Sequence, residues 1–140
     1  MTSLQKFDAP TPLKLSAAWA ATTLCYIYCD YFELYVPGKL QGMLDGHMGP
    51  LGAVTQGVLI GTSVMLIIPS IMILLSVTLP SSASRILNLL FGAGYTLLML
   101  LLAVGMEWYF YKLFAFTEAA LTAWIVWTAW KWPRVSHGAN

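Results

Sequence analysis

Residues 51–79 read LGAVTQGVLIGTSVMLIIPSIMILLSVTL and contain no Asp, Glu, Lys or Arg. A helix needs about 20 consecutive apolar residues to cross a bilayer, and this stretch is longer than that. Pro69 removes one backbone hydrogen bond inside it, and the hydroxyl of Ser70 is the predicted replacement donor. The stretch therefore predicts a kinked membrane-spanning helix that ends at Pro80.

Three further apolar blocks flank this one, at about 13–35, 85–106 and 113–130. Pro37 and Gly38 form a strong breaker pair that ends the first block. Ser81, Ser82 and Ser84 are candidate N-caps for the block from 85, and the aromatic segment 107–112 is expected to turn the chain at the membrane interface. Because the predicted loops are short, we expect an all-α fold in which residues 1–140 form one transmembrane domain, an up-down-up-down bundle of four helices.

Composition supports a chain embedded in lipid. Hydrophobic residues make up 59% and charged residues 9%, whereas soluble domains carry about 25% charged residues. The net charge of +1 and the lack of clustered Lys and Arg argue against nucleic acid as a partner. Cys25 and Cys29 fall inside the first predicted helix and are interpreted as small apolar packing residues.

Lys and Arg near the helix ends predict the orientation. One side holds Lys6, Lys14, Arg85, Lys131 and Arg134, and the other holds only Lys39 and Lys112. The excess favours cytoplasmic N and C termini, which agrees with an even number of spans. The mixed, polar first dozen residues argue against a cleaved signal peptide. A multi-pass protein of the cell inner membrane is the expected localisation.

Small residues within the apolar blocks are expected to let the helices pack closely, because lipid gives them no hydrophobic reason to associate. The second predicted helix carries Gly57-x-x-x-Gly61. We interpret this pair as packing within the bundle, with a homodimer contact as the alternative.

Acidic residues are confined to the outer half of the predicted bundle. Asp30 lies about five residues before the outer end of the first helix, and Glu118 lies at nearly the same depth in the fourth. An ionisable side chain at membrane depth costs several kcal/mol unless it is paired, hydrated or neutralised. Glu33 and Glu107 lie closer to the helix ends, where water can solvate them.

Two interpretations of these acids remain open. In the first, Asp30 and Glu118 form a hydrogen-bonded clasp between helices, with one carboxyl protonated. In the second, they line a pocket open to the outside that binds a proton, a cation or a small polar ligand. Tyr26 shares a helix face with Asp30 and Glu33, and Tyr95 is the candidate from the third predicted helix. The candidate binding residues are Asp30, Glu118, Tyr26, Tyr95 and Glu33.

Known catalytic and metal-binding patterns are missing from the sequence. It has no Cys-x-x-Cys, no His-Glu-x-x-His and no Gly-rich phosphate loop. Met43, His47 and Met48 hold donors that suit copper, but a solvated loop histidine is the favoured interpretation. No catalytic residue, metal site or cofactor is assigned, and a protein that is not an enzyme is favoured.

The stretch YIYCDYFELYVPGKLQG, residues 26–42, resembles a family of small bacterial membrane proteins of unknown function. The resemblance continues through 48–51, 56–59 and 61–63, and resumes near Glu118 and at 127–133. It implies a four-helix membrane fold and singles out Asp30 and Glu118, but it transfers no activity. Position 33 need not be acidic in such relatives, which weakens a role for Glu33.

Two functions follow from these observations. The first is a membrane protein that binds a small polar ligand, a cation or a proton in a pocket formed by the first, third and fourth predicted helices. The alternative is an accessory or assembly subunit of a larger membrane complex, with no chemistry of its own. The expected partners are the lipid bilayer and either a second copy or the subunits of such a complex.

Overall fold

The computed structural model describes residues 8–133, and this part of the chain is all helical. The helices are α1 (Thr11–Glu33), α2 (Lys39–Leu44), α3 (Gln56–Thr78), α4 (Ser81–Gly105) and α5 (Tyr109–Trp130), with a 3-10 turn at Gly49–Leu51. Helices α3, α4 and α5 are long and apolar enough to cross a membrane, which indicates a membrane protein. Helix α1 equals α3 in length, but Lys14, Asp30 and Glu33 make it more polar, and it is not among these three.

The helix boundaries differ from the predicted ones by up to five residues. Helix α3 begins at Gln56 instead of 51, because Gly52 takes a positive φ of 77° and Thr55 caps the helix by accepting a hydrogen bond from the Val58 amide. Helix α5 begins at Tyr109, so the predicted aromatic turn over 107–112 is reduced to residues 106–108. The expected interfacial segment is therefore mostly helix.

The start of α4 also differs from the expectation. Its N-cap is Pro80, and no serine side chain caps it. Ser84 instead donates its hydroxyl to the carbonyl of Ser76, at 3.1 Å. Arg85 donates hydrogen bonds to the carbonyls of Ala129 and Trp130 in the last turn of α5, where helical donors are lacking. The Ala129 carbonyl also accepts a hydrogen bond from the Trp132 amide. The start of α4 is thus bound to the end of α3 and to the end of α5.

Helix α1 packs against both α3 and α5, and α4 packs most extensively against α5. The α4–α5 contact is close because Gly92 has no side chain. A Cβ at this position would lie 2.9 Å from Val126 Cγ2 and 3.3 Å from Ile125 Cγ2. Gly94, on the exposed side of the same helix, has nothing within 4 Å of its Cβ position. Gly92 is therefore the glycine that sets the spacing of these two helices.

The interpretation of Gly57 and Gly61 as bundle packing is wrong for the described part of the chain. No atom lies within 4 Å of a Cβ built on Gly61, and Gly57 meets only the hydroxyl of Thr55, at 3.9 Å. Both glycines are exposed on α3. Lys6 and Arg134, which support the predicted orientation, lie outside the described residues.

A polar network joins α1, α3 and α4 inside the apolar core. Asn88 is fully buried, and its side-chain oxygen accepts hydrogen bonds from Trp19 Nε1 at 2.8 Å and from Ser76 Oγ at 3.2 Å. Its amide nitrogen donates to the Ser84 carbonyl at 2.8 Å. Since these polar groups are paired, the network stabilises the core and leaves no bonding capacity that calls for a ligand.

Candidate functional site

Glu118 is the buried carboxyl group of the described chain. It lies on α5, with 3% of its surface exposed, on the face that also buries Ala115, Ala119 and Thr122. These neighbours have small side chains, and α5 uses this face to pack on α1 and α4. The Oε1 atom of Glu118 is buried without a hydrogen-bond partner among residues 8–133. A buried acceptor in this condition carries the full cost of its lost hydration.

The hydroxyl oxygen of Tyr26 is a second buried polar atom without a hydrogen-bond partner in the described residues. Tyr26 continues the buried face of α1 formed by Leu15, Trp19 and Thr22, and 7% of its surface is exposed. The Glu118 carboxyl lies within electrostatic range of this hydroxyl and of the thiols of Cys25 and Cys29. A phenol that can donate and a carboxyl that can accept are thus held in one region between α1 and α5.

Tyr95 forms the wall of this region on α4. Its ring lies 6.4 Å from that of Tyr26 and packs edge-on against Trp19, with centroids 5.9 Å apart. Its hydroxyl donates to the carbonyl of Met65 on α3. Pro69 has no amide hydrogen, so this carbonyl, four residues earlier, lacks its helical donor. The predicted donor for the freed carbonyl was Ser70, which instead bonds to the Leu66 carbonyl.

This arrangement predicts different effects on stability for two similar substitutions. Tyr95→Phe removes the donor from the Met65 carbonyl and should lower the free energy of unfolding in detergent by about 0.5–1.5 kcal/mol. Tyr26→Phe removes a hydroxyl that has no partner, so stability should stay unchanged or rise. Thermal unfolding monitored by circular dichroism compares the two variants.

A double-mutant cycle tests the proposed cause. Pro69→Ala restores the amide donor to the Met65 carbonyl, so Tyr95→Phe should cost clearly less in that background than in the wild type. If Tyr95→Phe lowered stability equally in both backgrounds, Tyr95 would not be replacing the donor that is missing at Pro69.

Asp30 lies apart from the buried pair. It is exposed, one turn before the end of α1, and it makes no hydrogen bond to Glu118. The two carboxyl groups remain within electrostatic range of each other. The structure therefore brings Tyr26, Tyr95 and Glu118 together and leaves Asp30 at the surface, near the end of α1.

Glu33 is held by partners instead of being surrounded by water. It forms an ion pair with Lys39 of α2, and both side chains are about four-fifths buried. The Tyr111 hydroxyl of α5 lies beside it. Cys29, one turn earlier on α1, is within electrostatic range of both Glu33 and Glu118. Polar and ionisable groups thus follow the α1–α5 contact from the end of α1 to the buried carboxyl.

An apolar groove of about 380 Å³ opens between the end of α1 and the start of α5. It contains none of the predicted binding residues, and its lining is almost entirely aromatic: Phe32, Tyr35, Val36, Trp108, Phe110 and Phe114. The described residues include no group of three His, Cys, Asp or Glu side chains that could hold a metal ion. His47 lies in the exposed loop, with Nδ1 3.1 Å from the Asp45 carbonyl oxygen.

A comparison with models of protein families matches residues 5–138 to one described as a family of unknown function (DUF6326). This confirms the resemblance to a family without a known activity. Neither the curated proteins nor the solved structures gave a match.

Proposed function

We propose that this chain, which belongs to DUF6326, a family of unknown function, is a proton-binding protein of the bacterial inner membrane. Glu118 is the proton-binding group, and Tyr26 is its polar neighbour. In this proposal α1, α3, α4 and α5 form four spans in up-down-up-down order, with both termini in the cytoplasm. One observation carries the proposal: Glu118 Oε1 and the Tyr26 hydroxyl are both buried, and neither has a hydrogen-bond partner within residues 8–133.

The cost of burying a negative charge favours a bound proton or cation on the Glu118 carboxyl group. An ionised carboxylate at membrane depth is tolerated when it is paired or hydrated, and no cationic side chain of the described residues lies within 4.0 Å of Glu118. A proton removes the charge without requiring further ligands. A metal ion would require several donor groups at fixed distances, and the described residues supply no such group. The geometry therefore supports a proton over a metal ion.

The neighbouring groups give the proton a route to water. Cys29, Tyr111 and Glu33 lie along the contact between α1 and α5, and Glu33 is paired with Lys39. We propose that a proton reaches the buried carboxyl from the end of α1 along these groups, with water between them. Asp30 is exposed at the same end, where it adds negative charge that attracts cations.

Carbodiimide labelling tests the protonation of Glu118 directly. Dicyclohexylcarbodiimide enters apolar regions and reacts with carboxyl groups that carry a proton. We expect it to modify Glu118 and to spare Glu107, which is exposed at the end of α4. Trypsin cleaves after Lys112, so the two glutamates fall in different peptides, and mass spectrometry can assign the label. Labelling should fall as the pH is raised and should vanish in Glu118→Gln.

Two results would contradict the proposal. One is a label on the Glu107 peptide with none on the Glu118 peptide. The other is labelling of the Glu118 peptide that does not fall as the pH is raised.

A further inference from the structure

The segment between α1 and α3, residues 34–55, exposes large apolar side chains. We call it the α1–α3 loop. Its most exposed leucine is Leu44, at 75%, and Leu40 and Leu51 are exposed at 55% and 56%. The loop contains two charged residues, Lys39 and Asp45, and Lys39 is engaged in the ion pair with Glu33. A loop in water is expected to be polar, so this surface requires another explanation.

Backbone hydrogen bonds hold the α1–α3 loop in one compact conformation. The His47 amide donates to the Gly42 carbonyl, the Met48 amide to the Gly52 carbonyl and the Val54 amide to the Gly46 carbonyl, at 2.7–2.8 Å. His47 and Ala53 form an isolated antiparallel bridge. These bonds fix the internal shape of the loop, and the Lys39–Glu33 ion pair ties its start to α1. The apolar side chains are therefore presented outward by a stable fold of the loop.

Helix α2 separates apolar from polar side chains within this loop. At 3.6 residues per turn, Leu40, Met43 and Leu44 fall within an arc of about 100°, and all three are exposed. Gln41 and Asp45 lie together on the neighbouring side, where the Gln41 amide donates to the Asp45 carboxylate at 3.0 Å. An apolar face next to a polar face is typical of a helix that lies at a membrane surface.

The aromatic surface next to the α1–α3 loop also suits the boundary between lipid and water. Tyr35, the second residue of the loop, also lines the aromatic groove together with Trp108 of the α4–α5 connection. Tyrosine and tryptophan prefer the boundary between lipid and water. The Lys39–Glu33 ion pair holds the start of α2 at the same end of α1 as this aromatic groove, close to where the membrane boundary is expected.

From these observations we infer that the α1–α3 loop is inserted into the interfacial layer of the bilayer, with lipid as its partner. Leu40 and Leu44 contact acyl chains, and Gln41 and Asp45 face water. The inference does not depend on proton binding by Glu118, since it rests on a different surface.

Site-directed spin labelling tests this placement. The background is Cys25→Ser/Cys29→Ser, reconstituted into phosphatidylcholine vesicles, with a nitroxide at Leu44→Cys and a matched control at Gln41→Cys on the polar side of α2. Molecular oxygen concentrates in lipid, and a water-soluble nickel chelate remains outside it. We expect the ratio of oxygen to nickel collisions to be several-fold higher at position 44 than at position 41.

Two other outcomes would overturn the inference. Equal preference for nickel at both positions would mean that the loop stands in water. Low accessibility of position 44 to both reagents would mean that protein covers it, either a second copy or another subunit.

Discussion

Gly92→Ala is expected to destabilise the protein, and Gly94→Ala, two residues away, is expected to stabilise it slightly. A Cβ at position 92 would lie 2.9 Å from Val126 Cγ2 and 3.3 Å from Ile125 Cγ2, so these β-branched side chains must change rotamer or α4 and α5 must separate. Overpacking of this kind costs about 1–3 kcal/mol. At position 94 the added methyl group meets nothing within 4 Å, which leaves the gain in helix propensity of up to about 1 kcal/mol.

Thermal unfolding of the two variants in the same detergent measures this difference. Because both are Gly→Ala changes on one helix, the intrinsic helix preference cancels in the comparison. The account of α4–α5 packing would be wrong if Gly92→Ala were as stable as Gly94→Ala.

Asn88→Ala is expected to produce the second large loss of stability. The substitution removes the acceptor for Trp19 Nε1 and for the Ser76 hydroxyl, and Asn88 itself is fully buried. Each donor left unsatisfied in the core costs about 1–3 kcal/mol, although partners found in the membrane-embedded unfolded state reduce this figure. The loss should appear as a lower unfolding temperature and as a shift in tryptophan fluorescence, since Trp19 loses its hydrogen bond.

Thr117→Ala provides a control for this prediction. Thr117 is exposed and bonds only within its own helix, to the Leu113 carbonyl, so its loss should change stability little. If Asn88→Ala and Thr117→Ala unfolded at the same temperature, the buried network would not contribute to stability.

The sequence was sufficient to predict the long helices, since the apolar blocks carry that information. It was less reliable for their ends. The start of α3 depends on the positive φ of Gly52 and on the Thr55 cap, and the start of α5 at Tyr109 lies within a run of aromatic residues that suits a helix or an interface equally. Such boundaries depend on local backbone geometry, which hydropathy does not encode.

Depth in the membrane singled out both Asp30 and Glu118, but it did not show that Glu118 is buried and Asp30 is exposed. Along α1 the buried face passes from Thr22 to Tyr26. A step of three residues from Tyr26 leads to Cys29 and a step of four leads to Asp30, and both steps continue a helical face. In the structure Cys29 is partly buried and Asp30 is exposed. Sequence spacing cannot choose between these steps, because the choice depends on how α1 crosses α5.

Contacts between helices account for the other residues that sequence reasoning missed. Pro69 signals that the carbonyl four residues earlier needs a donor, but the donor is Tyr95 on another helix. Asn88 within an apolar helix, with Ser84 four residues before it, signals a buried network, yet its partners Trp19 and Ser76 lie on other helices. The sequence indicates which polar groups require a hydrogen-bond partner, and the packing of the helices determines which residue provides it.

Infrared spectroscopy of the folded protein tests proton binding by Glu118, because it detects the proton on a carboxyl group without requiring a reagent to reach it. At neutral pH we expect a carbonyl band of a protonated carboxylic acid shielded from water. This band should be absent from Glu118→Gln and retained in Glu107→Gln. Identical spectra in the carboxylic acid region for the wild type and Glu118→Gln would contradict proton binding by Glu118.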